Sequence, residues 1–477
     1  MSAKYLTESK NIGRIISLMG AHESSAEVQA RGCSALFALA MNEENVVAIA
    51  AQGGIEAVVR AMAVHGSSAK VQESGCASLC NLASNEENVV AVAAKGGIEA
   101  VVRAIGEHRS SAGVEKAGCM ALCNFAVNNG KNAAAIAAAG CIISVVRAME
   151  ECSSNEGVQR AGCKALCILA FNNMENVVAI AAKGGIEAVV GAMRAHGSSS
   201  GVQEQGCAAL CNFAAKAEND EVIAARGGIE AVLRAMKAHV SSVEVQAHGC
   251  LALRNLAKSK EAITPKGGIK AVMRAMAAHE SNAGVQEAGC KALARLASKV
   301  ENEAVVLTKG GIEAVVRAME AHGSNEGVQQ AVCLALAVLA RNAENQVTIA
   351  AKGGIAAVVR AMGQHGSSEG VQADGCAVLC NLAVTAENRV AVAAKGGIEA
   401  VISAMGAHVS SEEVQAQGCS ALRNVAANNA QNKEAVSAKG GIQAVKRAME
   451  AHGSSTRVQE AGRSALLNLA HTENEVS

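Results

Sequence analysis

Apolar positions along the chain recur at helical spacing and are punctuated at fixed places. In the stretch from Asn85 to Ala126, Val89, Val92 and Ala93 mark a short helix over Glu87–Ala94. Gly96 and Gly97 end it, because glycine supplies the positive φ that a helix C-terminus needs. Ile98, Val101, Val102 and Ile105 then fall at i, i+3, i+4 and i+7, one apolar face of a second helix. A Ser-rich loop over Arg109–Ala112 breaks the pattern. Val114, Cys119, Leu122 and Phe125 mark the inward face of a third helix, from about Gly113 to Ala126. The pattern predicts three helices per unit and no strand.

The unit repeats. The string beginning at Gly53 (GGIEAVVRAM) returns with small changes at Gly96, Gly184, Gly227, Gly267, Gly310, Gly353, Gly396 and Gly440, with degenerate copies at Lys10 and Gly140. Repeats therefore begin near 10, 53, 96, 140, 184, 227, 267, 310, 353, 396 and 440. A second anchor keeps the same phase: Cys33, Cys76, Cys119, Cys163, Cys207, Cys250, Cys290, Cys333, Cys376 and Cys419, then Arg463. A period of about 40 to 47 with only helical signals means an α-solenoid, a single array over 1–477. The repeat from Gly227 to Gly267 is the short one. Its first-helix region reads KSKEAITPKGG and holds Pro265, the chain's only proline, so a local break in helix regularity is expected there. Arg463, polar at a core position, suits a terminal repeat without a downstream neighbour.

The stretch VQESGCASLCNLASNEENVVAVAAKGGIEAVV, from Val71 to Val102, resembles the armadillo repeat in its VQ, its AL-like and N-LA steps, its EN and its Gly-Gly. The resemblance runs over about residues 11 to 470. The Ala-His ending of the second helix, as in Ala321-His322, is closest in style to the armadillo repeat-containing-six type. The resemblance implies an all-α, right-handed superhelix of 11 repeats, three helices each. The array is expected to be cut at both ends, beginning at a second helix and stopping within a first one.

Composition narrows the function classes. Lys plus Arg is 43 and Asp plus Glu is 43, which argues against a globally basic nucleic-acid binder. The polar start lacks a signal-peptide core, no apolar run reaches the roughly 18 residues of a membrane span, and Ser2 stands where myristoylation needs glycine. The protein is expected to be soluble and intracellular, cytoplasmic with the nucleus as a further compartment, and a monomer. G-x-S-x-G at Gly197–Gly201 and Gly366–Gly370 falls in inter-helix loops, without the strand-to-helix turn of a nucleophile elbow. Ten of the 12 histidines end second helices, one per repeat, which reads as C-terminal capping rather than metal binding. Glu56 with Arg60, Glu99 with Arg103, Glu230 with Arg234 and Glu313 with Arg317 read as helical i, i+4 pairs. The Gly-Cys thiols read as core. A second set, Cys80, Cys123, Cys167, Cys211 and Cys380, points toward the groove edge. No catalytic residues, metal ligands or cofactors are expected.

Function is expected on the third helices. In armadillo arrays these line a concave groove where an Asn holds the backbone of an extended peptide. The resemblance carries that role to Asn81, Asn124, Asn212, Asn255, Asn381, Asn424 and Asn468. Importin-α-like arrays add a Trp ladder, and this chain has no Trp. On the same helix face the basic residues are Arg31, Lys164, Arg254, Lys258, Lys291, Arg295, Arg341 and Arg423, against one acidic residue, Asp374. This pattern resembles β-catenin-like grooves, which take acidic peptides. The expected function is a non-enzymatic scaffold that binds an acidic, extended protein segment, with Arg254, Lys258, Lys291, Arg295, Arg341 and Arg423 as the basic contacts. A vacuolar-type armadillo membrane adaptor and a nuclear-transport-type cargo receptor are the alternatives.

Overall fold

The short helices end at a glycine pair that turns the chain sharply into the next helix, except Gly130–Ala138, where Gly140 is followed by Cys141. In the computed structural model, which describes residues 3–127, 130–257, 263, 266–299, 302, 305–306 and 310–470 (side chains from 11 onward), every regular element among the described residues is a helix. One full cycle is Glu86–Ala94, Gly97–Glu107 and Ala112–Ala126, which matches the three helices read from the pattern. Lys258, Pro265 and the tail from His471 lie outside the described residues. The helices fall into two compact units. One is built on Met1–His239 and the other on Val240–Ala257 and Ala262–Ser477.

The glycine pair does two separate jobs. Gly96 has φ of 77°, the left-handed region that side chains rarely adopt. Gly97 sits where a Cβ would lie 2.5 Å from Cγ1 of Val92 and 2.9 Å from its carbonyl oxygen. The second helix therefore packs tightly against the end of the first. A third glycine, Gly75, leaves a notch on the third helix for Met62, whose Cγ would be 2.5 Å from an added Cβ. The same Gly–Met contact recurs at Gly32–Met19, Gly162–Met149, Gly289–Met276 and Gly418–Met405. In the repeat begun by Gly310, the buried Val332 takes the glycine's place.

The helix-two to helix-three hairpin is closed by a glutamine. Gln72 is buried, and its Nε2 donates to the carbonyls of Met62 at 2.8 Å and His65 at 3.0 Å. These are orphan acceptors at a helix C-terminus. Gln29, Gln159, Gln203, Gln286, Gln329, Gln372, Gln415 and Gln459 make the same paired contact, ten and seven residues back. Third helices start on side-chain caps as well. Ser68 accepts from the Val71 amide, and Asn155 from that of Val158.

Successive repeats are tied by side chains that reach back about 43 residues. The histidines do this, which corrects their reading as caps of their own helix. The backbone N–H of His65 closes its helix on Ala61, while the Nε2–H of its ring donates to the Glu23 carbonyl at 2.7 Å in the preceding repeat. His108 to Gly66, His196 to Ser153, His322 to Glu280 and His408 to Gly366 repeat the contact. The ion pairs also cross repeats. Glu56 pairs with Lys95 at 3.0 Å, and Glu313 with Lys352 at 3.1 Å, rather than with Arg60 and Arg317. The lysine caps the short helix and so lies beside the preceding second helix. Exposed pairs of this kind contribute ~0–1 kcal/mol each.

All 17 cysteines are free thiols. The Gly-Cys set is fully buried in both units: Cys33, Cys76, Cys119, Cys163, Cys207, Cys250, Cys290, Cys333, Cys376 and Cys419 are each 0% exposed. Burial pushes the thiols of Cys33, Cys163 and Cys250 up to about 12. Arg463, at the corresponding position, is exposed.

Two outcomes follow from this packing. Gly97→Ala should destabilise its hairpin by about 1–3 kcal/mol through the clash with Val92. Gly106→Ala, with no atom near the added Cβ, should be neutral or stabilise by up to about 1 kcal/mol. Amide-exchange protection over Glu86–Glu107 measures both. In native protein a small thiol reagent should modify the partly exposed Cys167 and Cys211 well before Cys76 or Cys290. Peptide mapping of the adducts reads the order, and early loss of Cys76 or Cys290 would contradict the core assignment.

Candidate protein-binding groove

The Asn ladder lies on the third helices, and all seven members are partly exposed. Their amides are already engaged. Asn124 Nδ2 donates to the Cys80 carbonyl at 2.8 Å and touches its Sγ at 3.3 Å. Asn212 does the same with Cys167, and Asn424 with Cys380. Asn81 donates to Phe37, Asn381 to Ala337 and Asn468 to Arg423. Each bond joins a third helix to the third helix of the preceding repeat. An Asn amide carries two N–H donors and one acceptor oxygen. The tie to the carbonyl uses one donor of the amide, and the side chains remain partly exposed. In Asn424 the oxygen accepts from Arg423 Nε at 3.1 Å.

The second cysteine set is more deeply placed than the sequence suggests. Cys123 is 1% exposed, and Cys80 and Cys380 are 8% exposed. Only Cys167 and Cys211 are partly open. Burial raises the thiols of Cys80 and Cys380 to about 11. Cys80, Cys167 and Cys380 act as supports beneath the ladder, since their carbonyls and sulfurs receive the Asn amides.

The basic residues of the second compact unit divide into two kinds. Arg254, Arg295 and Arg341 are exposed on third helices or at their ends. Lys291 is neutralised by Glu287 on its own helix, 2.6 Å away. Arg423 lies in an open cavity of 520 Å³ with Gln417, Ser420, Arg457, Glu460 and Ser464, and Arg457 is itself paired with Glu413. The one acidic residue predicted for this face, Asp374, is partly buried. Desolvation and the nearby Glu413 push its carboxyl up to about 6. The expectation of a single-sign groove is thus narrowed: Glu287, Glu413 and Glu460 border it, and the free positive charge rests on Arg254, Arg295 and Arg341. In the first compact unit Arg31 is paired with Glu27 at 2.6 Å.

The serines of the two G-x-S-x-G strings are helix caps. Ser199 accepts from the Val202 amide and donates to Glu156, and Ser368 precedes the helix Glu369–Leu382. Among the described residues no three His, Cys, Asp or Glu side chains converge as a metal site, and no single helix is long and apolar enough to cross a membrane.

A helical solenoid with a ladder of third helices defines the class of protein. The chain matches the family model described as LRRK2 ARM repeat over residues 80–262 and 265–477. It belongs to the armadillo repeat family. No curated protein matches it in sequence. Among solved structures it is similar to an engineered protein determined by a structural genomics consortium, at 24% identity and a TM-score of 0.63, covering 96% of this chain and 98% of that one. It is also similar to a chain from a study titled for a phosphorylation switch controlling the interaction between cadherin and β-catenin, at 15% identity and a TM-score of 0.59, with 96% and 98% covered. Both likenesses concern the fold.

The ladder's structural share is measurable. Asn124→Ala should leave the Cys80 carbonyl without its donor and cost about 1 kcal/mol, read as reduced amide protection in Ala69–Leu82 and Ala112–Ala126. Unchanged protection in both helices would show that the tie contributes nothing.

Proposed function

We propose that the protein is a non-enzymatic scaffold whose third helices bind an extended, acidic segment of another protein. The observation that carries this reading is the run of exposed Arg254, Arg295 and Arg341 in three successive repeats of the second compact unit. Asn255 and Asn381 flank that run, one on either side in the sequence. A peptide in this groove would meet Asn oxygens and N–H groups with its backbone and guanidinium groups with its carboxylates. Guanidinium binds carboxylate through paired N–H donors. Lys291 and Arg423 join only when their present partners are displaced, and Lys258 extends the same face in sequence. A concave surface of one sign concentrates partners of the other. The solenoid fold is typical of non-enzymatic scaffolds, and the β-catenin structure with the same fold is titled for an interaction with cadherin. A cytoplasmic location and a monomeric array belong to the same reading.

Each exposed pair contributes only ~0–1 kcal/mol, so several must act together. Capture of acidic over basic peptide libraries should weaken as salt rises past physiological strength, where the screening length is about 8 Å. Arg254→Glu with Arg295→Glu should abolish that preference and leave helicity unchanged. Charge reversal at the exposed Arg60 and Arg103 should leave it intact. Equal capture of both libraries by the parent, or equal loss in both double variants, would remove the acidic-segment reading.

A further inference from the structure

Glu115 departs from the glutamine ladder at its structurally decisive column. Ten repeats carry Gln there: Gln29, Gln72, Gln159, Gln203, Gln246, Gln286, Gln329, Gln372, Gln415 and Gln459. Glu115 is 0% exposed, and neither carboxyl oxygen has a hydrogen-bond partner. Gln72 donates to the carbonyls ten and seven residues back. In that register Glu115 addresses the carbonyls of Ile105 and His108. A carboxylate has only acceptors, and so do two carbonyls. Protonation supplies the one donor that makes the arrangement tolerable.

The same seam lacks two ties found at its neighbours in the first compact unit. Where His65, His108 and His196 donate to the preceding loop at 2.6 to 2.8 Å, Cys152 offers only a thiol, 3.5 Å from the Arg109 carbonyl. Where Asn81, Asn124 and Asn212 join third helices, Ile168 has no amide. An open cavity of 440 Å³ lies there, lined by Val127, Cys167, Ile168, Phe171 and Asn212 among others. The short helix Gly130–Ala138 remains attached through Asn132 Nδ2 to the Phe125 carbonyl at 3.2 Å. One edge keeps its amide tie and the two others lack theirs, while Arg109 and Glu151 approach each other to 3.9 Å across the same seam.

We infer that the seam between the hairpin Gly97–Ala126 and the hairpin Cys141–Ala170 is a proton-controlled hinge, locked while Glu115 is neutral and loosened when it ionises. The charged groups facing Glu115 are Glu151, from the following second helix, and Arg109, from the loop before its own helix. The thiols of Cys76, Cys119 and Cys152 are the other titratable neighbours, and burial pushes each of them up from the ordinary thiol range. The His108 ring is occupied with Gly66. Burial and Glu151 together push the Glu115 carboxyl up to about 8, against the opposing pull of Arg109. The folded seam then binds one more proton than the unfolded chain between the ordinary carboxyl range and pH of about 8. Stability therefore falls as pH rises through that window. Ionisation sets the carboxylate against two carbonyls and against Glu151 across the seam.

Amide exchange of the whole chain at pH 6 and pH 9, corrected for intrinsic rates, tests the hinge. Peptides from Gly97–Ala126 and Cys141–Ala170 should lose up to about a hundredfold of protection between pH 6 and pH 9, because pH 6 lies two units below the titration and pH 9 above it, while Gly54–Leu82 keeps its own. Glu115→Gln should erase the difference, and it should also remove a protonated-carboxyl infrared band present at pH 7. Gln72→Glu should create a second pH-sensitive hairpin at Gly54–Leu82. Equal pH dependence in all repeats, no carboxyl band at pH 7, or a Glu115→Gln chain that still loosens at pH 9 would overturn the proposal.

Discussion

The array depends on how the C-terminal carbonyls of each second helix are satisfied. Those acceptors lie inside the solenoid, where an unpaired polar group costs about 1–3 kcal/mol. A single buried glutamine serves two of them and, in doing so, fixes the angle between the second and third helices. The Gly–Met notch can then close, and the third helix presents its cysteine inward and its Asn outward. The backbone amide and ring of the terminal histidine complete the junction by working in opposite directions, one into its own helix and one into the preceding repeat.

Much of this was legible in the sequence. The three helices, the glycine breaks and the buried cysteine column follow from spacing alone, because each rests on apolar periodicity or on a backbone conformation that only glycine adopts easily. The ties were not legible in the same way. His65, Asn124 and Gln72 all end on main-chain carbonyls, which carry no residue signature, so the sequence names the donor and hides the acceptor. The Glu56–Lys95 pair was missed for a related reason: helical i, i+4 spacing is visible along one chain segment, whereas a partner 39 positions away is visible only once the repeats are stacked. Glu115 did leave a signal, a single acidic letter in a column of glutamines.

The groove shows how one residue type carries two loads. A ladder Asn such as Asn81 or Asn381 joins its helix to the preceding third helix through its amide, while staying partly exposed on the outer face. The positions without Asn are therefore places where the wall lacks its side-chain tie to the preceding third helix. Ile168 beside the exposed Phe171 is such a place in the first compact unit. Arg295 is another in the second, where the lost amide is replaced by a long cation.

Because the recurring ties end on backbone carbonyls, a repeat does not need a particular neighbour, only a neighbour in phase. Any copy that keeps its own Gln, His and Asn can be joined to any other copy. Loss or gain of a whole period leaves every remaining junction chemically complete. Near-identical copies such as those begun by Gly53, Gly96 and Gly396 are then what exchange between copies of a coding segment would produce and what folding would permit. A departure such as Cys152 or Glu115 would travel as part of its own module, and the neighbour it arrived beside would inherit the altered joint.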